Sequence, residues 1–190
     1  MSPFSLARAI APERLRPLRR TEYEQLAATG AFQGERVELL AGKLVTMSPR
    51  GTRHSETVSR LTKLLVPRLL GRAEVRVQDA FAASDESEPE PDVAVVPAGD
   101  YSRAHPVHAL LLVEVSDSSL ADDLGIKLEI YQESRVEEYW VVDLTRDQVL
   151  VHQRTSDGRF AAAVPRGRGQ SVAPQAFPEL ALAVNDLLAG

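Results

Sequence analysis

The sequence has no cysteine. Disulfide frameworks, cysteine-ligated zinc or iron–sulfur sites and thiol catalysis are therefore excluded. Aromatic residues are scarce, at 5%, which argues against a groove that stacks sugars. No apolar run approaches the roughly 20 residues of a membrane span. Arg8, Arg14, Arg16, Arg19 and Arg20 interrupt the beginning of the chain. No leader core is expected there, and a cytoplasmic location is. Positive charge is not in excess either: 22 basic and 27 acidic side chains leave a formal charge of −5. Any contact with nucleic acid would then need a local basic face. The candidates are the N-terminal arginines, Arg50, Arg53, Arg60, Lys63, Arg68, Arg166 and Arg168. A GxSxG elbow, a P-loop, a glycine-rich dinucleotide turn and HExxH are all missing. His54, His105, His108 and His152 lack metal-ligand spacing.

What remains is a chain of 190 residues, 44% hydrophobic and 26% charged. Such a chain suits one soluble domain able to bury roughly 70% of its unfolded surface. We expect an irregular basic arm over residues 1–20 and a single domain over 21–190. Thr21 and Glu24 read as a capping box opening a short helix that Gly30 ends. Two apolar-rich runs, 36–40 and 43–47, flank Ala41-Gly42 as a β-hairpin. Val58, Leu61, Leu65 and Leu69 recur at helical spacing, which predicts an amphipathic helix from 52 to about 70, with Pro67 bending or shortening its last turn. A strand is expected over 74–83. Residues 85–92, DESEPEPD, hold five carboxylates in eight positions and read as a solvated loop.

The runs 92–96 and 109–115 are nearly continuous in apolar residues, the pattern of central strands covered on both faces. A helix is expected over 119–133, a strand over 138–143, a hairpin of 148–153 with 160–164, and a short helix near Asn185. The order is that of an α/β fold with a mixed sheet.

Glu114 interrupts the run ALLLVEV. An unpaired buried carboxylate costs several kcal/mol, so Glu114 must be paired, protonated, facing a cleft or bound to a metal. Asp92 opens the other apolar strand. If the two strands are neighbours, Asp92 and Glu114 converge on one edge of the sheet. A divalent cation resolves the repulsion of such a pair, and oxygen ligands without His or Cys select Mg²⁺ or Mn²⁺. Lys127 lies on the helix that follows and can point back toward the strand ends. Glu38, on the hairpin, can add a third carboxylate.

These residues carry a resemblance. Glu38 in VELLAGKLV, His54 after SPRGTR, Pro91-Asp92-Val93-Ala94-Val95-Val96 and Glu114-Val115-Ser116 resemble the Uma-two family of bacterial endonucleases. Asp123, Lys127, Tyr131 and the run Glu138 to Asp143 continue the pattern. That family lies within the PD-(D/E)XK nuclease superfamily. The resemblance spans roughly residues 20–188 and implies a restriction-endonuclease-like fold. This is a mixed central sheet with flanking helices, an N-terminal helix and hairpin, and a trailing C-terminal hairpin. It maps the superfamily aspartate onto Asp92, its acidic partner onto Glu114 and the acid of the first motif onto Glu38. Ser116 stands where the usual lysine would be, and Lys127 takes that lysine's place. The family hairpin's aspartate and second glutamate are replaced by Ala41 and Lys43.

The implied activity is metal-dependent hydrolysis of phosphodiester bonds in nucleic acid, DNA ahead of RNA, by a homodimer. Asp92 and Glu114 would hold Mg²⁺ or Mn²⁺ with the Val115 carbonyl and Glu38, while His54, Ser116 and Asp123 support the site or face the substrate. Two other classes compete. One is a non-catalytic interaction protein that keeps the fold and binds no metal. The other is a glycosidase, which needs two carboxylates about 5–10 Å apart across an open cleft.

Overall fold

A computed structural model describes residues 14–188. Most of the expected basic arm lies outside the described residues. Helix α1 (Arg20–Ala28) is capped by Arg19 rather than by Thr21. The Arg19 N–H donates to Glu22 at 2.9 Å, whereas Glu24, expected to close the cap, is drawn 2.5 Å from Arg20 instead.

Strands β1 (Val37–Leu40) and β2 (Lys43–Thr46) form the expected hairpin. Ala41 and Gly42 both take positive φ, 47° and 73°, as a two-residue turn that follows the strand twist requires. The acidic run 85–92 is not the solvated loop expected. The Glu88 N–H donates to the Leu39 carbonyl at 2.8 Å and the Gly42 N–H to the Glu86 carbonyl at 2.7 Å. Ser87 and Glu88 are buried. An open strand edge presents unpaired backbone groups, and this segment satisfies those of β1.

Helix α2 (Thr52–Leu69) keeps Pro67 in its last turn without being cut short. Strand β3 (Ala73–Val77) is shorter than expected, because Gln78 adopts a φ of 53° and turns the chain. Next come β4 (Val93–Pro97), β5 (His108–Ala109), β6 (Leu111–Ser116), α3 (Leu120–Asp123), α4 (Ile126–Glu133) and β7 (Arg135–Val136). The chain continues through β8 (Glu138–Asp143), β9 (Gln148–Gln153), β10 (Val164–Gly167), β11 (Ser171–Val172), β12 (Leu182–Ala183) and α5 (Val184–Leu187).

The six-stranded sheet runs β10-β9-β8-β6-β4-β3. Only β6 and β8 are parallel within it, joined by α3 and α4. The partner of β9 is 164–167, not 160–164. A turn at Thr155 to Arg159 delays the return strand, and Phe160 makes only a bridge to Arg154.

Alternation explains the apolar runs. In β4, Val93 and Val95 pack with Val58, Leu61, Leu65 and Leu69 of α2. Ala94 and Val96 face the opposite way, toward Ile130 and Tyr131 of α4. Strand β6 divides likewise, Leu111, Val113 and Val115 to one side and Leu112 to the other. Full burial of one such leucine is worth roughly 1.5–3 kcal/mol, so both helices are held firmly to the sheet.

The single helix expected over 119–133 is two helices. The break falls at Gly125, where an added Cβ would sit 2.7 Å from the Ala121 carbonyl oxygen. Gly125→Ala is expected to lower stability by about 1–3 kcal/mol through overpacking. Urea unfolding measures this, and an unchanged midpoint would show that the break is not sterically enforced.

Candidate functional site

The site follows from the β4–β6 pairing. These strands are antiparallel, with Val93 opposite Val113. Continued by one residue, that register sets Asp92 opposite Glu114, so the two acids share a face as well as an edge. By the period of two, it is the α4 face. Lys127, in the first turn of α4, reaches back to both sides of a cleft. Its Nζ lies 3.0 Å from Glu114 Oε1 and 3.2 Å from Glu38 Oε2. Glu38, Asp92, Glu114, Asp123 and Lys127 are all between 2% and 6% exposed. They line a cleft of about 120 Å³ beneath the β1–β2 hairpin, the 47–51 segment and the loop after β6.

Each carboxylate is positioned differently. Asp92 Oδ2 accepts from the Val115 N–H and the His54 ring Nε2, both at 2.9 Å. Its Oδ1 accepts from the Gln78 amide at 3.2 Å. Burial alone would raise the Asp92 pKa, but the His54 contact and these donors outweigh it and hold it below its ordinary value. Glu114 Oε1 accepts from Lys127 and from the Tyr131 hydroxyl at 2.8 Å. Burial, reinforced by Asp123, Asp92 and Glu38, pushes the Glu114 carboxyl well above its ordinary value despite Lys127.

Lys127 is pulled the other way. Burial would lower its pKa, but Glu114, Glu38 and Asp123 together raise it, so it stays an ammonium. Ser116 and Ser119 hydroxyls both donate to Asp123 Oδ2 at 2.6 Å. Ser116 thus anchors Asp123, whose pKa burial nevertheless raises. Glu38 Oε2 also accepts the Glu90 N–H at 3.2 Å.

The donor set suits a hard divalent cation. Three buried carboxylates, Glu38, Glu114 and Asp123, share one buried ammonium, and Asp92 is a fourth beside them. The hydrogen bonds described above engage Glu38 Oε2 and Glu114 Oε1 and do not use the second oxygen of either. Oxygen-only donors and surplus negative charge favour Mg²⁺ or Mn²⁺. Among the described residues, however, no three acidic or histidine side chains already stand as a formed metal cage. The donor types fit such an ion, and its binding would have to draw these carboxylates together.

Of the sequence-derived candidates, Glu38, His54, Asp92, Glu114, Val115, Ser116, Asp123 and Lys127 all lie within this constellation. Three further residues were not foreseen there. Tyr131 lies four residues after Lys127, so helical spacing could have placed both on one face. Arg50 was foreseen only as a basic surface candidate, yet its Nη1 donates to Gln78 Oε1 at 2.7 Å and it lines the cleft. Gln78 joins Arg50 to Asp92, and nothing in the sequence pattern marks it.

The broader basic face is partly neutralised. Arg53 and Arg168 pair with Asp147, and Arg60 pairs with Glu56. No helix among the described residues is long and apolar enough to cross a membrane.

A mixed six-stranded sheet with helices on both faces is a restriction-endonuclease-like fold. The chain belongs to the Uma2 family, described as "Putative restriction endonuclease", whose model matches residues 20–185. A crystal structure of a "putative nuclease belonging to DUF820" from Anabaena variabilis ATCC 29413 shares the fold, with a TM-score of 0.71 at 14% identity. The match covers 90% of this chain and 97% of that one. No curated protein sequence matches.

Proposed function

We propose that this protein is a metal-dependent nuclease that hydrolyses phosphodiester bonds in nucleic acid, DNA ahead of RNA. One observation carries the reading: Asp92 stands opposite Glu114 with Lys127 Nζ 3.0 Å from the glutamate. Family membership and the nuclease-like fold support it.

Asp92 and Glu114, with Glu38 and the Val115 carbonyl, would hold Mg²⁺ or Mn²⁺, which supplies Lewis-acid polarisation of a phosphoryl oxygen and a more acidic water. The remaining work falls to the chain's own groups. His54 and the Val115 N–H fix the Asp92 carboxylate, so its orientation is set before substrate arrives. Lys127 keeps its proton at Nζ. Its role is to offset negative charge gathering on the phosphoryl oxygens, not to abstract a proton from water. Tyr131 and Lys127 together hold Glu114 Oε1. Ser116 and Ser119 keep Asp123 near Lys127. A homodimer belongs to the same reading.

Calorimetric titration of the wild-type protein with Mn²⁺ and Mg²⁺, beside a cleavage assay with and without EDTA, tests the proposal. The expected result is one saturable site and cleavage lost in EDTA. Cleavage that persists undiminished in EDTA would overturn the metal requirement. Neither binding nor cleavage would favour an interaction protein that retains the fold.

A further inference from the structure

A second cavity adjoins the first. It encloses about 280 Å³ between the end of α1 and the start of β1, lined by Tyr23, Phe32, Gln33, Arg36, Val37 and Glu90. Its aromatic wall is built. The Tyr23 hydroxyl donates to the Val37 carbonyl at 2.9 Å, which fixes that ring. Phe32 stacks on it, with centroids 5.6 Å apart and planes at 26°.

Glu90 links the two cavities. It lines both, accepts from Arg36 at 2.9 Å, and donates its own N–H to Glu38. A group seated against Phe32 is therefore next to the carboxylate cluster.

The charge of the cleft restricts what can approach it. Among the described residues, its lining has seven carboxylates and two lasting cations, Arg50 and Lys127. Arg36, at the junction, is already paired with Glu90, and Arg53 and Arg168 with Asp147. A duplex is commonly gripped by about 6–10 phosphate contacts, and this surface offers few uncompensated ones. The acids are also recessed in that cleft, between 2% and 5% exposed for Glu38, Asp92, Glu114 and Asp123. Stacking of an unpaired base needs no cations and is sequence-tolerant. One guanidinium nitrogen of Arg50, Nη2, is buried without a hydrogen-bond partner, a single donor for a single phosphate.

We propose that the second cavity seats an unpaired base flanking the scissile phosphate, so that the substrate is single-stranded where it is cut. The proposal rests on the nuclease reading above. It assigns Phe32 as a specificity residue: the base lies in the aromatic cavity, and the phosphodiester passes Glu90 to reach Asp92 and Glu114.

Three substrates separate the possibilities in Mn²⁺ buffer: a small diester with no aromatic ring (an abasic dinucleotide, two deoxyriboses joined by one phosphodiester), a single-stranded DNA oligonucleotide, and the same sequence in duplex form. Wild type is expected to cut the single strand at least ~10-fold faster than the duplex, in line with the range for base stacking. Phe32→Leu, which keeps apolar volume and removes the flat face, should raise KM for the single strand ~10-fold. Its rate on the small diester should stay unchanged, which also shows that it folds. Phe32→Trp should restore the oligonucleotide KM. Equal cutting of duplex and single strand overturns the proposal, as does a Phe32→Leu loss that is the same on the small diester. Failure of wild type on all three substrates, the small diester included, rejects the nuclease reading itself.

Discussion

Glu114→Gln is expected to abolish cleavage while leaving the protein folded. The amide keeps the size of the carboxylate and can still accept from Lys127 and Tyr131 at Oε1. What it removes is the carboxyl's capacity to ionise and hold a cation. A fall of at least ~10³-fold is expected, about 4 kcal/mol of barrier at 1.36 kcal/mol per tenfold. The variant should also lose Mn²⁺ binding in calorimetry. Its stability should move the other way. Burial raises the Glu114 pKa in the folded state, so the folded protein holds a proton that the unfolded chain releases at ordinary carboxylate pH. Wild-type stability contributed by this group is present in acid and is lost as pH rises through the raised value. Glu114→Gln lacks that loss, so thermal melts at pH 5 and pH 8 should differ less than in wild type. Full cleavage activity in this variant would remove Glu114 from the proposed site.

Lys127→Met is expected to separate metal binding from catalysis. The substitution preserves an unbranched side chain but leaves Glu114, Glu38 and Asp123 without their shared cation. Removing one partner of a buried ion pair costs about 3–5 kcal/mol. The penalty should be greatest at high pH. Without the ammonium Glu114 and Asp123 titrate at still higher pH, and the stability they contribute when protonated is lost as pH rises. Urea unfolding at pH 5 and pH 8 reads this slope directly. Metal affinity should be retained or increased, because the cluster becomes more negative. Cleavage should nevertheless fall by ~10²–10³-fold, the scale of losing one transition-state charge donor. Loss of metal binding together with cleavage would instead make Lys127 a structural support of the ligands.

Much of the fold was legible because strands β4, β6 and β8 are covered on both faces, and short continuous apolar runs bounded by turn residues suit central strands better than any half-solvated element. Glu114 was visible for the same reason, as a charge where only apolar residues belonged. The opposition of Asp92 and Glu114 needed the strands to be neighbours, a fact of pairing that no local pattern contains. Boundaries were harder. Gly125 in an otherwise periodic helix was compatible with either one helix or two, and only the crowding against Ala121 decides it. The acidic run 85–92 misled because its charge suggested water, while its backbone was needed to complete the edge of β1. Gln78 was invisible, since its place depends on a left-handed turn and on Arg50, which lies 28 positions away in sequence.

The two-sided burial of β4 and β6 ties assembly of the proposed site to folding fidelity. Odd positions of these strands meet α2 and even positions meet α4, and Asp92 and Glu114 are even. A slip of one residue in either strand would turn its acid toward the α2 core, where leucines offer no donor. The same slip would exchange the valines and alanine that fit each helix. A misregistered chain is therefore penalised twice, by packing and by stranded charge. Chains that reach the stable core have, in doing so, already aligned the acids, so folded molecules should be uniformly competent rather than a mixture of active and inactive forms.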